Sequence, residues 1–151
     1  MTIGAICSRE VVFVRRGQSV RVAAELMRQH HVGALVVVDE RDDGPRIPAG
    51  VVTDRDIAVA VVAKGLDADG VRAEELMSGE VATARETEGV SACIARMRAR
   101  GVRRMPVVDA RGALVGIVTA DDLLELLAEE LSGLAHTVAN EQRREARVRV
   151  V

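Results

Sequence analysis

The sequence predicts an α+β chain made of two copies of one unit, each running strand, helix, strand, strand, helix. Three observations carry that prediction. Self-comparison at an offset of 70 lays residues 3–39 on residues 73–109 without a gap. It matches Ser8 with Ser78, Glu10 with Glu80, Arg15 with Arg85, Met27 and Arg28 with Met97 and Arg98, and Val37, Val38 and Asp39 with Val107, Val108 and Asp109. The offset then falls to 66, so that GVVTDRD at 50–56 lies on GIVTADD at 116–122, and the four-residue difference falls in 41–48, a stretch with the Gly, Pro and Asp content of a loop. Finally, the hydrophobic period switches in the same order in both copies.

The elements follow in turn. Short helical candidates at 3–7 and 73–77 lead the two copies, placed to connect and cover the sheets. VVFV (11–14) and VATA (81–84) read as short strands, and VRVAAELMRQH and VSACIARMRAR carry apolar residues at helical spacing, with Ser19 as an N-cap for the first. LVVVD and MPVVD are continuously apolar, as suits a strand covered on both faces. AGVVT and LVGIVT form a third strand, after which helices start at TDRD and TADD, with Thr53 and Thr119 as caps and acids in the first turn to suit the helix dipole. GLDADG (65–70) is a linker. The expected division is therefore a first repeat over 3–64, a linker over 65–72, a second repeat over 73–131 and a helical tail over 132–151. A unit of about 55 to 60 residues buries too little surface to be comfortable alone. The copies should pack sheet against sheet about a pseudo-twofold axis into one globule.

Composition narrows the function. Of the 151 residues, 48% are hydrophobic and 29% charged, which suits a soluble globular protein. A net charge of −2 removes the electrostatic drive toward nucleic acid or an anionic membrane, and Phe13 as the one aromatic leaves no base-stacking platform. Nucleic acid is thus not an expected partner. Cys7 and Cys93 sit in no metal or disulfide spacing. No signal peptide is evident and the apolar runs fall short of the ~18 residues of a membrane span, so a cytoplasmic location without membrane contact is expected. GxxxxGK[ST], HExxH and GxSxG motifs do not occur. His30 and His31 cannot share a helix face, and the Asp42/Asp43 and Asp121/Asp122 pairs read as a loop and a cap. The expectation is a protein that is not an enzyme, with no metal site.

This order of elements, together with MPVVD and G-apolar-apolar-T-x-x-D in both halves, resembles the CBS domain, a module named after cystathionine beta-synthase. The resemblance spans residues 3 to about 131. It implies a tandem pair, or Bateman module, that binds AMP, ADP, ATP, NAD or S-adenosylmethionine as a regulatory ligand, requires no cofactor and signals to an effector protein. The chemistry of TxxD agrees. A carboxylate in a helix's first turn accepts bonds from a ribose diol, each contributing about 1.5 to 3 kcal/mol. Asp56 and Asp122 are the ribose candidates, with Thr53 and Thr119 at the turn where N–H groups favour anions. The competing reading is that these four residues are only helix caps.

By the same resemblance each cleft takes its Thr and Asp from one copy and its adenine walls from the other. Thr53 and Asp56 would face Met77, Glu80, Ala82 and Val102, beside Arg103, Arg104 and Pro106. Thr119 and Asp122 would face Cys7, Glu10, Val12, Val32, Gly33 and Ala34. Adjacent guanidiniums clamp phosphate oxygens, so phosphate recognition should rest on Arg103 and Arg104, with Arg55 a weaker candidate. The second cleft lacks this pair. The same resemblance implies a homodimer that forms through the helices, and LLELLAEEL at 123–131 has the apolar excess for that contact; in the tail, Leu134 and Val138 offer an apolar stripe to a partner subunit. A ligand-free scaffold that uses the fold only for interaction is the alternative function.

Overall fold

The computed structural model describes residues 1–39, 44–77 and 79–149. Part of the expected loop, with Asp42 and Asp43, lies outside these residues, as does Ser78. The first half contains α1 (Ile3–Ile6), β1 (Phe13–Arg15), α2 (Val20–His30), β2 (Ala34–Asp39), β3 (Ile47–Thr53) and α3 (Asp54–Ile57), which widens into a π-helical stretch over Ala58–Val62. The second half contains α4 (Ala73–Leu76), β4 (Ala84–Arg85), α5 (Val90–Arg100), β5 (Arg104–Val108), β6 (Leu114–Thr119) and α6 (Ala120–Val148). Each half forms a three-stranded sheet with its β2 or β5 strand in the centre, parallel to one neighbour and antiparallel to the other. Even the register irregularity recurs, at Val37/Val38 and Val107/Val108.

Alternation decides which face each central strand gives to the helices. Leu35 and Val37 join Val14, Ala23, Met27 and Val52 in one core, while Met105 and Val107 join Ala84, Cys93, Met97 and Leu123 in the other. The intervening residues Val36, Val38, Pro106 and Val108 are buried as well, on the faces turned away from the helices. The two sheets are tied directly by the Leu114 N–H, which donates to the Arg46 carbonyl at 2.8 Å.

The leading helices are exchanged between the halves. α1 packs into the second core through Ile3 and Ile6, and α4 packs into the first through Ala73 and Leu76. The bonds that hold them are reciprocal: Ile3 N–H donates to the Glu88 carbonyl and Ala73 N–H to the Gln18 carbonyl, at 2.8 and 2.9 Å. Gly4 to Glu86 and Glu74 to Arg16, at 2.8 and 3.2 Å, repeat the pattern. Each pair maps onto the other when the halves trade places, which is the pseudo-twofold axis expressed in hydrogen bonds.

Two strands begin later than expected, β1 at Phe13 rather than Val11 and β4 at Ala84 rather than Val81. The parallel pairing starts only at Phe13 with Val36 and at Ala84 with Val107, although β2 and β5 begin two and three residues earlier. In the first half Val36 N–H still donates to the Val12 carbonyl at 3.2 Å. The equivalent residue in the second half is Pro106, which has no N–H, so Ala82 loses that bond and β4 is shorter.

The helix ends differ in a way that yields a stability prediction. α5 stops at Gly101 with φ 64°, whereas α2 stops at His31 with φ 54°, a left-handed conformation that costs a side-chain-bearing residue about 1 kcal/mol. His31→Gly is therefore expected to raise the midpoint of thermal unfolding by about 3 °C. An unchanged or lower midpoint would contradict the assignment.

Burial, and then the carboxylate of Glu88, push the Cys93 thiol up from its ordinary 9.0 to about 11. The native thiol keeps its proton to higher pH than the unfolded one, so stability should fall as pH rises from 9.0 to about 11. At neutral pH a thiol reagent is expected to modify the half-buried Cys7 and to reach Cys93 only on unfolding, a pattern that mass spectrometry of the native protein would check. Among the described residues no helix is long and apolar enough to cross a membrane.

Candidate functional site

The strand-to-helix turns at Thr53 and Thr119 are built alike. Thr53 Oγ1 accepts from Asp56 N–H at 3.1 Å, and Asp56 Oδ2 accepts from Thr53 N–H at 2.8 Å. Thr119 and Asp122 repeat both bonds at 3.1 and 2.9 Å. These are capping boxes, so the cap reading of TxxD is correct for the structure. It leaves room for a second role, because among the described residues Oδ2 alone is used and Oδ1 of each carboxylate is uncommitted. The turn is also pinned to the segment before the central strand: Asp54 N–H donates to the Gly33 carbonyl at 3.0 Å and Ala120 N–H to the Arg103 carbonyl at 2.8 Å.

A cleft of about 230 Å³ opens between the two halves, lined by Gly50, Val51 and Thr53 from the first and by Glu80, Val81, Ala82, Val102, Arg103 and Arg104 from the second. Six residues singled out in the sequence thus come together: Thr53, Glu80, Ala82, Val102, Arg103 and Arg104. Four others do not line it. Asp56 and Arg55 lie in the first turn of α3, Asp56 committed to its cap and Arg55 exposed. Met77 belongs to the first core and covers Gly50, where a Cβ would fall 2.4 Å from its Sδ. Pro106 is buried in β5. Gly50, Val51 and Val81 were missed, although Val51 stands two residues before Thr53 and so shares its face of β3.

Electrostatically the cleft is weighted toward cation. Arg103 is held by Asp121, Nη2 to Oδ1 at 3.0 Å, and Glu80 lies 3.7 Å from Arg100. Arg104, by contrast, makes no side-chain hydrogen bond or ion pair among the described residues. The rest of the lining is largely aliphatic, with Val51 from the first half and Val81, Ala82 and Val102 from the second; the Ala82 carbonyl has no strand partner in β5, because Pro106 lacks an N–H.

The pseudo-symmetric cleft is different. A more open hollow of about 460 Å³ is lined by Ser8, Glu10, Val11, Val12, His30 and Val32, so of the expected residues it gathers Glu10, Val12 and Val32. Thr119 and Asp122 form their cap away from this lining, and Gly33 and Ala34 do not line it either. Cys7 packs over Gly116, as Met77 does over Gly50, with 2.7 Å between its Sγ and a Cβ built on the glycine. In place of an arginine, Gly33 faces the Asp54 carboxylate, 3.1 Å from where a Cβ would stand. The hollow itself carries the Glu10 carboxylate, and no arginine is among its lining residues. Among the described residues no group of three His, Cys, Asp or Glu side chains could hold a metal ion.

Comparison with known proteins agrees with this architecture. The family model described as the CBS domain matches residues 3–63 and 73–129. The chain is 36% identical over 129 residues to an uncharacterized protein of Methanopyrus kandleri, covering 83% of this chain and 62% of that one. It is 34% identical over 134 residues to a CBS domain-containing protein of Bacillus subtilis, covering 88% and 91% of the two chains. Among solved structures it is similar to the CBS domain pair of protein MJ0100 in complex with 5′-methylthioadenosine and S-adenosyl-L-methionine, with a TM-score of 0.72 and 29% identity over 86% of this chain and 98% of that one.

Proposed function

Since the chain belongs to the CBS-domain family, as two tandem repeats, we propose that it is a regulatory module binding a phosphorylated adenosine ligand in the cleft between the repeats and signalling to a partner protein. The observation that carries this reading is the joint lining by Thr53, Ala82, Val102, Arg103 and Arg104. Aliphatic walls suit a purine face where no aromatic is available. The Ala82 carbonyl, which Pro106 cannot pair, suits the exocyclic amine of adenine, and a guanidinium without a side-chain partner among the described residues suits a phosphate. A CBS pair of similar fold holds two adenosine-containing ligands. Arg104 favours AMP, ADP, ATP or NAD over S-adenosylmethionine, whose sulfonium is cationic. The role is binding rather than catalysis, with the nucleotide acting as an effector and not as a cofactor.

Isothermal titration calorimetry with AMP, ADP, ATP, NAD and S-adenosylmethionine tests this. Expected is saturable heat with at least one phosphorylated ligand, at one site per chain because the second hollow lacks cations. No heat and no thermal shift with any of the five would overturn the reading and leave the scaffold alternative, which the carboxylate-bearing second hollow favours.

A further inference from the structure

Of the two arginines that line the cleft between the repeats, Arg103 is engaged and Arg104 is not, among the described residues. Arg103 Nη2 donates to Asp121 Oδ1 at 3.0 Å, and its backbone carbonyl accepts from Ala120 N–H at 2.8 Å, so the residue is tied twice to the first turn of α6. Asp121 itself does not line the cleft, and it meets the lining through Arg103. The fold does not require this pair. The capping box of α6 closes between Thr119 and Asp122. The corresponding turn of the first half is built in the same way, with a capping box at Thr53 and Asp56 and a bond of 3.0 Å from Asp54 N–H to the Gly33 carbonyl. There Gly33 stands in the place of Arg103 and Arg55 in the place of Asp121, so no such pair can form. The pair therefore accompanies the guanidinium-bearing cleft rather than the turn.

Its strength suits exchange. The Arg103 and Asp121 side chains are 73% and 65% exposed, and a pair that open to water favours contact by a factor of about five at most. A phosphate offers a guanidinium two oxygens and up to two negative charges, where Asp121 uses one oxygen, so a phosphate in the cleft displaces the carboxylate. Adenosine, with no phosphate, leaves the pair intact. Resting on the reading of this cleft as a nucleotide site, we propose that Asp121 is a positioning residue that competes with the ligand's phosphate for Arg103. It lowers the affinity for phosphorylated ligands by the strength of the pair and leaves unphosphorylated ones alone. The exchange also alters a contact at the root of α6. By reciprocity, whatever holds Asp121 away from Arg103 tightens phosphate binding by the same factor, so the pair couples the cleft to that helix.

Calorimetry of the full chain with adenosine, AMP, ADP, ATP and NAD tests this. Asp121→Asn should tighten at least one of the four phosphorylated ligands by about threefold to fivefold and leave adenosine unchanged. Asp121→Glu, which keeps the carboxylate, should stay closer to the wild type. Arg103→Ala should weaken the same ligand, and adding Asp121→Asn to it should bring no gain. Equal affinities in wild type and Asp121→Asn overturn the proposal while leaving the nucleotide reading in place. So does a gain that adenosine shares, which marks a change in the turn, or one that survives in full beside Arg103→Ala, which marks direct repulsion. If neither wild type nor Asp121→Asn binds any of the four, this inference and the reading beneath it fall together.

Discussion

Gly116→Ala is expected to destabilise the protein by about 2 kcal/mol, lowering its thermal midpoint by about 4 to 8 °C, and Gly50→Ala by less. The difference comes from what covers each glycine. At Gly116 a Cβ would fall 2.7 Å from Cys7 Sγ and 2.8 Å from the Ser8 carbonyl oxygen. That backbone cannot retreat freely, because Ser8 N–H donates to the Ile117 carbonyl at 3.0 Å and Ile117 N–H to the Ser8 carbonyl at 2.9 Å. At Gly50 the atoms in the way all belong to one Met77 side chain, with Sδ at 2.4 Å and Cγ at 2.7 Å, and a thioether can change rotamer. Denaturant titration of the two variants checks the order. Equal effects, or none at Gly116, would mean that the strand glycine does not hold the segment leading from the other repeat's core. The glycine shared by GVVTDRD and GIVTADD is thereby explained by packing, since each lets the exchanged leading segment of the other half lie against the sheet.

Much of this was legible from residues alone, for a physical reason. The switch from period two to period 3.6 depends on local sequence, and it recurred at fixed offsets, so both strand-helix-strand-strand-helix units could be read off. What escaped was what depends on a partner. Residues 3–7 match 73–77, but self-similarity cannot say whose sheet each segment covers, and α1 and α4 cross over. The start of β4 was placed too early because a strand ends where its neighbour stops donating, and Pro106 withdraws the donor. His31 carries no mark of its left-handed conformation, although its counterpart Gly101 does. The site was half legible. Thr53, Arg103 and Arg104 could be singled out from their own chemistry and Ala82 and Val102 only through the family resemblance, whereas Val51 enters the cleft through strand alternation. Thr53 and Asp56 were open to two readings because cap and ligand contact call for the same residue types at the same spacing.

Those two uses of one residue can be separated by experiment. Arg104→Ala is expected to weaken nucleotide binding at least tenfold, about 1.4 kcal/mol or more, while leaving the thermal midpoint of the unliganded protein unchanged. Arg104 makes no side-chain bond among the described residues, so its removal costs the free protein nothing while depriving a phosphate of its charge-assisted partner. Asp56→Ala should behave differently. Its Oδ2 accepts the Thr53 N–H at 2.8 Å, so the substitution removes half of a capping box and lowers stability by about 1 kcal/mol with no ligand present. If Oδ1 also receives a ribose hydroxyl, affinity falls as well. Asp122→Ala supplies the internal standard, because it breaks the equivalent box at a turn whose threonine, unlike Thr53, lines neither hollow. It should reproduce the stability loss without the loss of affinity. Calorimetry and thermal melts of the three variants therefore separate the two roles. If Asp56→Ala and Asp122→Ala lose equal stability and both retain full affinity, Asp56 is a cap alone. If Arg104→Ala also retains full affinity, the ligand does not place its phosphate against Arg104.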